Sequence, residues 1–484
     1  MEPHVLIAGA GPTGLLLAAD LARRGVPFRL AEKSAQPSKL SRAIVVHART
    51  LEILRDFGVA DELVSRGLPL QRVRFFRSGK QMVNIDFGQL ETAFPFLLCV
   101  HQTETENVLS RLVERLNGRI DRGVSFSSMT QNDDGVTSVI THSDGREETV
   151  RSQWLVGCDG AHSQVRKAAG LEFSGAHFAE DLWLVDCRIT ADVPRDGLTS
   201  FFAKSGFLAC FPMAKGRVRL ICTAPADTEE GYEPNFADLQ DVWRDRSHFE
   251  GDLVDAVWIA RFKIHARQVK HYRSGRVLVA GDAAHIHSPV GGQGMNTGLQ
   301  DAHNLGWKLA RAYHGGRDLL DSYEAERHAL GQRLLLGTDI ATRIGTWRNP
   351  LLRSIRDATA WLGSGVAPIQ HVALRGVAEL DVNYRSSDIV GSSRHFHSGL
   401  RPGDRVPDIP GRITGLAPNL LLVGEHEGFD ELADLIYRRF PAILVRQETR
   451  GDPGIYLIRP DLYVWWRGGV NDAAALVAHL ESAL

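Results

Sequence analysis

The chain has 484 residues, more than one hydrophobic core usually supports, so two or three domains are expected. With 43% hydrophobic and 24% charged residues it is neither disordered nor fibrous, and a formal charge of -2 gives no basic footprint for nucleic acid or an anionic membrane. The five cysteines (Cys99, Cys158, Cys187, Cys210 and Cys222) form no CxxC, which argues against zinc or a redox disulfide and for reduced, buried thiols.

The first apolar run, Val5 to Ala8, is interrupted by glycine, unlike a signal peptide, and no stretch of about 20 apolar residues occurs. A cytoplasmic protein without membrane or nucleic-acid partners is expected. His4 to Ala8 reads as a buried strand, Thr13 to Arg24 as a helix closed by Gly25, and Val26 to Ala31 as a second strand. Helices are expected from His47 to Phe57 and from Thr103 to Leu116. Leu70 to Phe94 and Leu182 to Cys222 carry strand texture, with turns at Ser78-Gly79 and Lys215-Gly216. A long helical stretch follows from about Gly298 to Leu362, and Arg401-Pro402-Gly403-Asp404 opens a third unit.

Gly9-Ala10-Gly11-Pro12-Thr13-Gly14 is GxGxxG between strand and helix. The glycines serve a tight turn, close backbone approach to a pyrophosphate and helix–strand packing, while the helix start attracts the phosphates. Glu32 ends the next strand, with Lys33 beside it, and suits a ribose hydroxyl; FAD and NAD are not distinguished here. A second glycine turn, Gly157-Cys158-Asp159-Gly160, leads to a helix with Ser163 as N-cap; Asp159 either meets a ligand or satisfies local backbone donors. A third motif runs from Arg276 through Gly281-Asp282 to Pro289-Val290-Gly291-Gly292-Gln293-Gly294-Met295-Asn296-Thr297-Gly298-Leu299-Gln300-Asp301-Ala302. There a strand delivers Asp282, and a glycine-dense loop and helix start can approach a flat, negatively charged ring.

In order and spacing these motifs resemble the FAD-dependent aromatic hydroxylases of the para-hydroxybenzoate hydroxylase type (class A flavoprotein monooxygenases). The resemblance implies that Gly9, Gly11, Gly14, Glu32 and Lys33 bind the ADP half of FAD, and that Asp282 meets the ribityl or pyrophosphate part. Gly294, Met295 and Asn296 would face the flavin pyrimidine. Asp159 with Arg166 resembles a motif for FAD and NADPH. Arg42, ahead of Thr50-Leu51-Glu52, and Gln102, in Gln-x-x-x-Glu-x-x-Leu with Glu106, fit the same family. Arg42 would lie near pyrophosphate and nicotinamide, and Pro289 would meet substrate through its backbone.

The fold so implied is α/β: a Rossmann-like FAD-binding domain (1–70, 98–180 and 270–365) with an inserted antiparallel-sheet substrate domain (71–97 and 181–269). The tail, 385–484, is similar to the thioredoxin-like C-terminal domain of the phenol, polyketide and rifamycin hydroxylases, where Ile458 to Arg467 matches a closing strand. NAD(P)H, with NADPH preferred, would bind transiently and reduce the flavin; oxygen would then form a flavin hydroperoxide that hydroxylates a phenolic or polycyclic ring. Baeyer–Villiger oxygenation, a non-oxygenating flavin reductase and a drug-sequestering FAD protein are the alternatives, and a homodimer is compatible with the sequence. A halogenase reading lacks its WxWxIP segment. Among Trp183, Phe201, Phe202, Phe207 and Phe211, the expected substrate contacts are Phe201 and Phe211. No base is singled out among His47, Tyr232, His265 and Tyr272. No metal is expected: His285 and His287 form HxH without a third ligand, and His285 is read as bracing its loop.

Overall fold

The computed structural model describes residues 2–38, 41, 43–286, 291–346, 367–407, 413–449 and 451–483. Arg42, His287 and Pro289 lie outside them, as does the side chain of His265.

Val5–Ala8 is apolar and fully buried, as a central strand covered on both faces must be. It lies between the parallel strands Phe28–Glu32 and Trp154–Gly157. Ile120–Arg122 extends the first side and Val277–Val279 the other, with Arg273–Ser274 as a short antiparallel edge. Helix Pro12–Arg23 has proline in its first turn and buries seven of its apolar side chains or glycines against this sheet and helix Gly294–Tyr313.

An eight-stranded sheet runs in the order 285–286, 253–269, 173–189, 218–223, 206–212, 197–203, 72–77 and 80–86. All its pairs are antiparallel except Gly197–Ala203 with Arg72–Arg77, which belong to separate excursions of the chain. Its strand Phe173–Ile189 begins upstream of residue 181, and His285–Ile286 of the third motif pairs onto its other edge. A three-stranded sheet from 124 to 152 packs against the parallel sheet.

Strand alternation gives the large sheet two faces. Trp183, Val185, Phe201, Leu208 and Leu220 point to a core closed by Trp243 on helix Phe236–Ser247. Phe75, Leu198 and Phe211 point the other way and pack against the main core.

The helical stretch expected from 298 consists, over its described part, of two helices, Gly294–Tyr313 and Leu320–Thr346. The break falls at His314-Gly315-Gly316, where Gly315 takes φ +78°, and Asp318 Oδ1 accepts from Leu320 N–H. The C-terminal sheet has the order 391–392, 464–468, 454–458, 419–423 and 444–448. Its core includes Trp307 and Leu319, so it closes on helix Gly294–Tyr313 and not on itself alone. No described helix is long and apolar enough to cross a membrane.

Candidate cofactor and substrate site

The three glycine turns meet at the carboxyl end of the parallel sheet, where doubly wound folds place their ligands. The glycines of the first turn have different jobs. A Cβ on Gly9, at φ +102°, would lie 2.3 Å from the Cys158 carbonyl oxygen, and one on Gly14 would lie 2.0 Å from that of Gly9. Both are required by the chain itself. A Cβ on Gly11 would meet nothing within 4 Å. Gly11 therefore marks the open side, and no side chain caps the helix that follows. Free amides, a positive helix end and open space suit a pyrophosphate. Glu32 accepts from Ala10 N–H and Ser34 N–H, each at 2.8 Å, which holds its carboxylate beside the turn; Lys33 is exposed.

Asp159 has both of the roles left open above within reach. Its Oδ2 accepts from Gln164 and Val165 N–H at 2.7 and 3.2 Å, while Oδ1 is buried and accepts no bond among the described residues. Ser163 Oγ accepts from Arg166 N–H at 2.9 Å, confirming the N-cap. The Arg166 guanidinium donates to the carbonyls of Ala161 and Ala283, at 3.0 and 3.1 Å.

Asp282 sits, exposed, in a 3-10 turn after the strand that delivers it. The turn is placed by neighbours that the sequence alone does not pair. A Cβ on Gly281 or Gly298 would strike Thr13 Oγ1, so Thr13 nests between them and joins the first motif to the third. Asp301 accepts from Gly281 N–H at 2.9 Å, His285 Nε2 at 2.7 Å and Arg327 Nε at 2.6 Å. Burial alone would raise the Asp301 carboxyl, but Arg327 and His285 outweigh it and hold the group at about 2. Asp301 stood inside the third motif, and a buried acid one turn from its glycines was the available signal. Arg327 carried none.

Gly294 and Met295 start the long helix half-buried, and Asn296 is buried. Asn296 Oδ1 accepts from His47 N–H at 2.9 Å, and Nδ2 donates to the carbonyls of Val45 and Gly292 at 2.9 and 2.8 Å. Gln102 Oε1 accepts from Ala43 N–H at 3.1 Å, and Nε2 donates to Glu106 at 2.8 Å. Gln102 thus braces the backbone at Ala43.

Phe211 lies on the face of the inserted sheet that packs toward the cofactor domain. Phe201 is corrected: it is 1% exposed among Phe76, Trp243 and Phe249 on the opposite face, because neighbouring strand residues alternate. Trp183 shares its side. The cofactor-side parity is shared by Asp186 and Arg219, a buried bidentate pair with both bonds at 2.7 Å. Of the base candidates, Tyr232 is exposed and donates to Asp238, and Tyr272 is buried and accepts from Gln268. His47 is buried and pushed down to about 4 by desolvation, against the pull of the Gly291 and Gly292 carbonyls. Among the described residues no group of three His, Cys, Asp or Glu side chains could hold a metal, and all five cysteines are free and buried.

The FAD binding domain model matches residues 2–338. The chain is 35% identical to 6-methylpretetramide 4-monooxygenase of Streptomyces rimosus, covering 99% of this chain and 93% of the relative. It is 33% identical to dialkyldecalin synthase of Streptomyces rugosporus, covering 96% of each. The solved structure of OxyS anhydrotetracycline hydroxylase from Streptomyces rimosus superposes with a TM-score of 0.83 at 29% identity, covering 100% of this chain and 99% of the other.

Proposed function

The chain belongs to the FAD-binding-domain family of flavin-dependent monooxygenases, and from that premise we propose that it hydroxylates a polycyclic, phenol-bearing, polyketide-like ring. It is an FAD-dependent enzyme that takes NAD(P)H, oxygen and an aromatic substrate; NADPH is the proposed electron donor. The observation that carries the reading is the junction of the three glycine turns, stitched by Arg166 and Thr13 around the open side at Gly11.

In this reading the bound FAD supplies hydride acceptance and oxygen activation. The chain binds and orients. Amides at the start of helix Pro12–Arg23 hold the pyrophosphate, and Glu32 takes a ribose hydroxyl. Asp159 Oδ1, Asp282 and Gln102 supply polar contacts along the cofactor, with Lys33 at its exposed edge. Backbone of Gly294, Met295 and Asn296 meets the flavin ring. Arg42 positions NAD(P)H, Pro289 positions substrate, and Phe211 with Phe75 offers an apolar wall that keeps water from the ring. The strand order of the C-terminal sheet, with Gly454–Ile458 antiparallel to both of its neighbours, supports a thioredoxin-like unit, and the absence of CxxC argues against thiol redox chemistry and for a structural or assembly role.

The test is turnover of a phenol and polyketide panel under labelled oxygen. Substrate-dependent NAD(P)H consumption with one oxygen atom gained supports hydroxylation, and a ring-expanded ester or lactone supports the Baeyer–Villiger alternative. Consumption with no oxygen incorporated under any condition defeats both. The name of the synthase relative favours one second reading, a non-oxygenating ring-forming role: a product isomeric with its substrate, made without NAD(P)H, would support it.

A further inference from the structure

Behind the Gly291–Asn296 loop lie buried polar side chains that the cofactor reading does not use. Four buried atoms there make no hydrogen bond among the described residues: His47 Nδ1, Thr50 Oγ1, Gln300 Oε1 and Glu379 Oε1. Their residues are at most 3% exposed.

A chain of contacts links the segments that carry these four residues. His47 N–H donates to Asn296 Oδ1 at 2.9 Å. One turn along the same helix face, Gln300 Nε2 donates to Glu379 Oε2. Ala378, the neighbour of Glu379, accepts at 3.2 Å from the backbone N–H of Arg49, two residues beyond His47. Thr50 follows in the first turn of helix Ala48–Asp56. Glu379 itself sits at φ +57°, a left-handed conformation that a non-glycine residue adopts at a cost, so its side chain is held in place by this packing.

The chemistry of the four atoms specifies what they need. His47 Nε2 lies 2.9 Å from the Gly291 carbonyl, which can only accept, so Nε2 carries the proton and Nδ1 offers a lone pair. Gln300 Oε1 also only accepts. An ionised Glu379 would add a third acceptor and leave the Thr50 hydroxyl as the sole donor. Water supplies two donors, and a neutral carboxyl supplies one more. Buried polar groups are rarely left unpaired, and a small polar void in a folded domain is normally wet.

We propose that His47, Thr50, Gln300 and Glu379 enclose a site for ordered water behind the Gly291–Asn296 loop, and that Glu379 faces it as the protonated, donating acid. The charges around Glu379 agree with this state. Burial raises its carboxyl most; Arg327 and the Gln300 amide pull it down, Asp381 pushes it up, and the group settles at about 8. His47, the other titratable group of the four, stays neutral for the same reason of burial. The pocket thus holds no net charge of its own, and water in it anchors the imidazole that in turn holds the Gly291 carbonyl.

Infrared difference spectroscopy of wild type against Glu379→Gln tests the acid, with or without flavin bound. The expected result is a protonated-carboxyl stretch at neutral pH that shifts in heavy water, fades as the pH rises through about 8 and is missing from the variant. An identical carbonyl region in both proteins overturns the assignment. The hydration site needs no variant. A high-resolution crystal structure of the wild-type chain should show water within hydrogen-bond distance of His47 Nδ1 and Gln300 Oε1, and a dry or filled void there overturns it. Neither readout involves turnover, so either can fail while the monooxygenase reading stands, and the reverse.

Discussion

The guanidinium of Arg166 donates to the carbonyl oxygen of Ala283 across 3.1 Å, tying the Asp159 turn to the turn that carries Asp282. Two motifs more than a hundred residues apart therefore share one buried side chain. The cofactor-side loops form a single braced unit, and that unit makes the following outcomes specific.

Glycines of one motif should separate by consequence. Gly14→Ala places a Cβ 2.0 Å from the Gly9 carbonyl oxygen and should destabilise the flavin-free protein by roughly 1–3 kcal/mol. Gly11→Ala has open space and an ordinary N-cap backbone, so flavin-free stability should stay within about 0.5 kcal/mol while FAD affinity falls. Thermal melts of flavin-free protein and FAD titration check both. Equal melting losses in the two variants would sink the distinction.

Asp301→Asn removes the charge that three donors share and leaves Arg327 buried without its partner. A loss of roughly 3–5 kcal/mol is expected, with lower flavin occupancy on purification. In wild type the folded Asp301 sits at about 2, below the 3.8 of a free Asp. Its stabilisation is therefore complete above about 4 and is lost as the pH falls toward 2. Denaturant melts across acid pH should show the variant lacking that share of the decline.

Arg459 joins the C-terminal unit to the cofactor domain through Glu326, at 2.6 and 2.9 Å, and is held by Asp461 on its own strand end. Among the described residues, Arg459→Met leaves Glu326 facing Lys308, Asn304 and Ser387. A loss of roughly 3–5 kcal/mol is expected, shared by both units. Fluorescence and circular-dichroism unfolding curves should shift together; a shift confined to one transition would show that the units unfold independently.

Glu379→Gln should change how stability depends on pH. Folded Glu379 sits at about 8 against 4.5 for a free Glu, so between these values the folded protein holds a proton that the unfolded chain lacks. Stability from this group is greatest at low pH, falls as the pH rises through the window and levels off above it. Relative to wild type, the variant should gain stability steadily from pH 5 to 8 in urea melts. Parallel curves would show that Glu379 titrates as a free acid.

The first βαβ unit was legible because each piece agreed locally: a buried apolar strand, three glycines, a proline-started helix and an acid at the next strand end. The inserted sheet was legible as strands, but not as faces. Phe201 and Phe202 look alike in sequence, and only the pairing register decides which of them turns toward Trp243. The helical break at Gly315 was hidden because the residues on both sides favour helix, and a positive φ at one glycine ended the first.

The sequence by itself determined the cofactor-binding frame, since glycine spacing and strand-end acids act over a few neighbouring residues. The tertiary structure alone decided which distant side chains fix that frame. Thr13 between Gly281 and Gly298, Arg327 on Asp301 and Glu379 against Gln300 are contacts over long sequence separations, set by packing helices together, and no local pattern encodes them.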